Sequence, residues 1–227
     1  MNYSVIVEKI LRNINTVQDG KAVFTFARMN PPTLGHEMLI AEVVKLGKEK
    51  HRESFIILSH KTDPKKNPIP YEHKLIALDK ALPNVNIIDA PEIVTIFDAV
   101  KYLTTKGYTD LILVCGSDRA QTYSSMFEPY KEHEDEALRL GYKNLHVVTA
   151  GDARDPDSDD EQVDDSDISK IKATKARAYA LNNDYESFKK VLPTGMPDDQ
   201  AQILFNDIKQ NYKPAVPRKK KLKPQAS

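Results

Sequence analysis

Short runs of apolar, β-branched and aromatic residues recur at 22–26, 55–58, 85–88, 111–114 and 145–148, and between them apolar residues return at every third or fourth position. The first pattern predicts short buried strands, and the second predicts helices with one apolar stripe, expected at 40–50, 71–82 and 95–106. Strands alternating with helices of this length predict an α/β chain in which five parallel strands are joined by crossover helices in a doubly wound sheet. Ahead of this core, residues 5–14 place Ile6, Val7, Ile10, Leu11 and Ile14 on one face, which predicts an N-terminal amphipathic helix covering the domain or a partner. Behind it, 170–181, 184–191 and 198–209 read as helices, with Pro193 and Pro197 separating the last two.

In a Rossmann-like sheet of this kind, ligands sit at the carboxyl ends of the strands, near the point where the strand order reverses. The segment Ala27-Arg28-Met29-Asn30-Pro31-Pro32-Thr33-Leu34-Gly35-His36 leaves the first expected strand there and runs into a helix. The two prolines interrupt regular structure. Gly35 allows close backbone approach, and the N–H groups of an opening helix favour an anion. An imidazole at His36 and a hydroxyl at Thr33 add donors for charge that develops on a phosphate.

Composition narrows the setting. At 227 residues the chain has room for one α/β domain with extensions. No apolar run approaches the roughly 20 residues of a membrane span, and the N-terminus lacks the pattern of a signal peptide, so no membrane partner and a cytoplasmic location are expected. Cys115 is the single cysteine, inside an apolar run, which predicts a buried thiol and neither a disulfide scaffold nor a cysteine-based metal site. The 33 basic and 33 acidic residues balance but are segregated. Acidic residues crowd 151–167, expected to be a flexible insertion, and Arg218, Lys219, Lys220, Lys221 and Lys223 crowd 213–227, expected to be a disordered basic tail open to nucleic-acid or protein contact. The expected organisation is therefore 1–20 as helix, 21–182 as the core domain, 183–212 as a helical extension and 213–227 as tail.

Three further groups carry candidate chemistry. After the second expected strand, Lys61, Lys65 and Lys66 gather as mobile charges able to meet an anionic acceptor or a triphosphate. At the end of the fourth, Gly116-Ser117-Asp118 forms a polar turn whose ordinary role is capping. Beyond the acidic run, Ile171-Lys172-Ala173-Thr174-Lys175-Ala176-Arg177 opens a helix with a hydroxyl and an arginine able to grip phosphates.

The 27–36 segment resembles the signature loop of the cytidylyltransferase-like nucleotidyltransferases, Gly-x-Phe-x-Pro-x-(His or Thr)-x-Gly-His. Pro31, Thr33, Gly35 and His36 match, whereas Ala27 and Met29 replace the usual glycine and phenylalanine. Ile171, Thr174 and Arg177 resemble the family's second signature, with Lys172 and Ala173 in place of two serines. The resemblance covers roughly 21–177 and is similar in detail to the small nucleotidyltransferases of large tailed phages, which would make the location the host cytoplasm. It implies transfer of a nucleoside monophosphate from a nucleoside triphosphate to a phosphorylated small-molecule acceptor. Threonine before Gly-His is also found in the phosphopantetheine adenylyltransferases, which favours ATP as donor. CTP, or a nucleotide-binding assembly protein without turnover, are the alternatives. The implied catalytic residues are Thr33, His36, Lys61 and Arg177. The implied nucleotide contacts are Phe26, Ala27, Arg28, Gly35, Gly116, Asp118, Ile171 and Thr174, with Lys65 and Lys66 facing the acceptor. Mg²⁺ is expected as cofactor, held mainly by triphosphate oxygens with no metal ligands from the chain, and homo-oligomerisation stays open.

Overall fold

A computed structural model describes residues 20–61, 63–151 and 171–213. The expected N-terminal helix, most of the acidic insertion and the basic tail lie outside these residues. Five strands, β1 (Lys21–Ala27), β2 (Glu53–Leu58), β3 (Ile87–Ile88), β4 (Asp110–Gly116) and β5 (Asn144–Ala150), form one sheet in the order β3-β2-β1-β4-β5, and every neighbouring pair is parallel. This is the expected doubly wound sheet. Its order reverses between β1 and β4, so the binding crevice of such a sheet falls beyond Ala27 and Gly116.

The two faces follow from the period-two alternation of buried strand residues. Ala22, Phe24, Phe55, Ile57, Leu111 and Leu113 face α3 (Ile96–Thr105), whose Ala99, Val100 and Leu103 are fully buried. Val23, Ile56, Leu58, Ile112 and Val114 face the other way, toward α1 (Leu34–Glu49) and α2 (Tyr71–Ala81). β3 is shorter than the expected 85–88 because it is a half-buried edge strand that begins shortly after Pro83, although Ile56 N–H still reaches Asn86 O at 2.9 Å.

One helix escapes the periodicity. α4 (Ser117–Met126) has the sequence SDRAQTYSSM and no fully buried residue, so it shows no apolar stripe. Tyr123 and Met126 anchor it to the core. Beyond the sheet, α5 (Ala173–Leu181), α6 (Tyr185–Lys190) and α7 (Asp198–Asn211) share one apolar cluster built on Ile171, Phe188, Leu204, Phe205 and Ile208, and that cluster continues into Ile69 and Ala77 of the α2 region. Among the described residues no helix is long and apolar enough to cross a membrane.

Candidate active site

The loop from Arg28 to Thr33 is fixed by backbone and side-chain hydrogen bonds from three directions. Asn30 is 2% exposed, and its amide exchanges two bonds with the backbone of Ile69, Nδ2 to O at 2.8 Å and Ile69 N to Oδ1 at 3.0 Å. Its own carbonyl accepts Arg177 Nη1 at 2.7 Å, and Arg177 Nη2 reaches Thr174 Oγ1 at 3.2 Å. The Asn30–Pro31 bond is cis, and Met29, with φ of 45°, turns its side chain into the core.

Thr33 caps α1 and sets the ring of His36. Its N–H donates to Nδ1 at 3.1 Å, and its Oγ1 lies 2.9 Å from the same nitrogen. An N–H can only donate, so this network assigns the hydrogen of a neutral ring to Nε2. The Thr33 hydroxyl also donates to Ile171 O at 3.1 Å. Thr33 is 0% exposed and stands behind the residues that line the cavity. Its hydrogen is engaged with the second signature segment, which ties the start of α1 to Ile171.

The helix start is also less open than expected. Leu34 N–H donates to Val191 O at 3.0 Å, and the N–H groups of His36 and Glu37 turn back to Thr33 O at 2.9 and 3.0 Å. The segment after α6 has covered this end, and Gly35 is where the opening turn meets the cavity.

That cavity, of about 440 Å³, opens at the carboxyl ends of β1 and β4. It brings together Phe26, Ala27, Arg28, Gly35 and His36 from the first segment, Gly116 and Asp118 from the end of β4, and Ile171, Thr174 and Arg177 from the second signature segment. Four cations besides Arg177 line it: Arg28, Lys66, Arg119 and Lys172. Asp118 is the carboxylate of the lining, and it pairs with Arg119 at 3.5 Å. Burial works against the charged form of Arg177; nearby Arg28 adds to this, while Tyr212 and Asp63 oppose it. Burial also pushes the Cys115 thiol in the cavity wall up to about 11, so it stays protonated at neutral pH.

The lysine loop divides. Lys66 reaches the cavity, whereas Lys61 and Lys65 are exposed and stand outside its lining. The reason lies in the loop's own fold. Asp63 Oδ1 accepts the N–H groups of Lys65 at 2.9 Å and Lys66 at 3.2 Å, and Asn67 Nδ2 donates to Lys61 O at 2.9 Å. Those backbone bonds lower the Asp63 carboxyl below the usual range. Pro64 O in turn accepts the N–H of Lys213, just beyond α7, at 3.2 Å.

Several residues of the site carry no motif of their own. Arg119 follows the Gly-Ser-Asp turn, Lys172 stands where the second signature has serine, Asn30 lies inside the loop, and Lys74 falls in the middle of α2. Lys74 is 2% exposed and donates to Arg28 O at 2.9 Å and Ser59 O at 2.6 Å, tying together the chain ends that leave β1 and β2. Its one sequence signal is position, since it falls on the helix face of Tyr71 and Leu78 at spacings of three and four.

A search of curated proteins returns no match to the chain. A family model described as cytidylyltransferase-like matches residues 24–177, a span that runs from β1 to Arg177 and holds both segments that meet at the cavity. That span is more than half of the 227 residues and supports a nucleotidyltransferase activity in general; the chain belongs to the cytidylyltransferase-like family.

Proposed function

We propose that this protein transfers a nucleoside monophosphate, AMP from ATP in preference to CMP from CTP, to a phosphate-bearing small-molecule acceptor. The observation that carries the reading is the convergence of two segments far apart in the chain, Arg28 to His36 and Ile171 to Arg177, on one cation-lined cavity. Its volume of about 440 Å³ lies in the range of small-molecule sites. An acceptor phosphate oxygen attacks the α-phosphorus, the bond from that phosphorus to the bridging oxygen breaks, and pyrophosphate leaves with the electron pair. The acceptor phosphate is ionised at neutral pH, so no general base is needed.

Catalysis then rests on alignment and on charge. His36, oriented through Nδ1 by Thr33, donates to oxygen on which charge develops. Arg28 and Arg177 hold the phosphates, Lys66 faces the acceptor or the leaving group, and Gly116 and Asp118 border the nucleotide. Among the described residues no cluster of three or more His, Cys, Asp or Glu stands ready to hold a metal. Asp118 is the carboxylate at the cavity, so Mg²⁺ would ride mainly on phosphate oxygens and water, where it would neutralise the triphosphate.

The test is a matrix of four nucleoside triphosphates against pantetheine phosphate, nicotinamide mononucleotide, choline phosphate, glycerol phosphate and sugar phosphates. Pyrophosphate release is read together with the mass of the product. ATP with one acceptor is expected to give stoichiometric pyrophosphate and an adenylylated product. Turnover with CTP alone would move the donor to cytidine, and nucleotide binding without turnover under any pairing would favour a binding protein.

A further inference from the structure

Lys74 is a buried cation with nothing of opposite charge beside it. Its Nζ sits 2.9 Å from Arg28 O and 2.6 Å from Ser59 O and lies over the ring of Tyr71 at 5.2 Å from the centroid. Two carbonyl oxygens and a ring face stabilise an ammonium, but they carry no net charge. Among the described residues no carboxylate pairs with it. The groups that face it from the elements around it make its isolation worse or leave it unchanged. From the loop after β1, Arg28 repels it. From the loop after β2, His60 is stacked on Tyr71 at 3.3 Å and is itself held toward its neutral form by burial and by Lys74. On its own helix, the Tyr71 hydroxyl is pushed upward by burial and stays neutral. Asp89 and Glu92 near β3, and Glu72 on α2, act on His60, while Lys74 itself is shifted down to about 8, by burial first and by Arg28 second.

The missing counter-charge has one evident source. Arg28, whose carbonyl oxygen Lys74 holds, also lines the cavity, so a polyanion seated against Arg28 and His36 brings negative charge to the residue on which the ammonium rests. We propose that Lys74 is a proton-linked positioning residue, which takes up a proton from solvent as a triphosphate binds and thereby locks the loops that carry Arg28 and Ser59 around the occupied site. This rests on the nucleotide reading above. The proton balance is simple: at most one proton enters per bound triphosphate, and it leaves when the product and pyrophosphate leave.

Other groups near the cavity do not imitate this between pH 8 and 9. A triphosphate is fully ionised there, and the Cys115 thiol already holds its own proton. The readout is therefore calorimetric titration with MgATP and with MgCTP at pH 8.5, in two buffers of different ionisation enthalpy. The wild-type chain is expected to take up about half a proton or more per nucleotide at pH 8.5 and progressively less toward pH 6.5, and its affinity should weaken about tenfold between pH 7.5 and 9.5. Lys74→Arg, which keeps the charge at every pH in this range, should bind with the extra uptake gone and the affinity flat. Lys74→Met should bind weakly and without pH dependence.

Nucleotide binding by the wild-type chain with no proton uptake at pH 8.5 overturns the inference and leaves the proposed function standing. Equal uptake by wild type and Lys74→Arg overturns it too. Failure of both nucleotides to bind at any pH overturns the nucleotide reading and the inference together. The wild-type uptake profile decides the first of these points even if neither substituted protein folds.

Discussion

The guanidinium of Arg177 donates to the carbonyl oxygen of Asn30 at 2.7 Å, across 147 residues of chain. The second signature segment therefore holds the first by a backbone contact, while the same arginine lines the cavity. Arg177→Lys keeps a charge but cannot reach Asn30 O and Thr174 Oγ1 together. The affinity of this variant for nucleoside triphosphate should fall about tenfold or more relative to monophosphate, measured by calorimetry. Unchanged affinity for both would remove Arg177 from the phosphate site.

His36 should matter for turnover far more than for stability. Its ring is tied to the cap of α1 through the N–H of Thr33, and it lines the cavity. His36→Ala is expected to lower kcat by about 10² to 10³, the usual loss for a donor to developing charge. The urea midpoint should move little. Equal turnover of the two proteins at saturating Mg²⁺ and substrate would exclude the role.

Asn30 presents the opposite balance. Replacing it with alanine leaves the N–H and the carbonyl of Ile69 without partners in a buried place, which costs about 1–3 kcal/mol for each unsatisfied group. Asn30→Ala should therefore lower the unfolding free energy by a few kcal/mol and reduce turnover as a consequence. Urea unfolding followed by circular dichroism checks the first, and a midpoint equal to wild type would show that the Ile69 bonds carry no stability.

The α/β order, the crossover helices α1 to α3 and the Gly-His loop are legible in the sequence because each is a local pattern: apolar runs of period two or 3.6, and turn residues between them. α4 is not, since Tyr123 and Met126 suffice to hold it and its other positions face outward or sit at half depth. For the site, sequence motifs locate the segments that meet but not what each atom does there. Thr33 illustrates the gap: the motif marks it, yet only the fold reveals that Ile171 O, 138 residues away, accepts its hydroxyl hydrogen. Lys74 and Asn30 act on backbone carbonyls and amides of other loops, and a residue that binds backbone leaves no complementary partner type in the sequence to look for.

Stability should vary with pH in a window that Lys74 governs. Its folded value of about 8 lies below the ordinary 10.5, so between these values the unfolded chain holds more protons and stability rises with pH. The full rise would be about 3 kcal/mol. Above about pH 9 the buried Cys115 thiol, raised from 9.0 to about 11, opposes it, because the unfolded chain then loses a proton that the folded chain keeps. Urea unfolding should therefore give increasing stability from pH 7.5 to 9 and a flattening beyond. Lys74→Arg should abolish the rise, and Cys115→Ser should extend it. A flat wild-type profile over that first interval would show that Lys74 titrates normally.

Gly195 is a packing requirement between the C-terminal helices and the sheet domain. A Cβ built there would collide with the carbonyl oxygen of Ala81 at the end of α2, and that oxygen is backbone that cannot swing aside. Gly195→Ala should destabilise by about 1–3 kcal/mol, as overpacking does. Thermal unfolding is the check, and an unchanged Tm would mean that this turn yields without cost.

The bond from Lys213 N–H to Pro64 O has a practical side. It delivers the polypeptide, as it leaves α7, to the rim where Lys66 enters the cavity, whereas Gly20 precedes β1 at the far end of the strands. A bulky label placed on the exposed Lys213 itself therefore stands beside the substrate entrance and competes with small molecules for it. A surface label for kinetic work belongs at the opposite end of the strands, where the exposed Lys143 precedes β5 and the entrance stays clear.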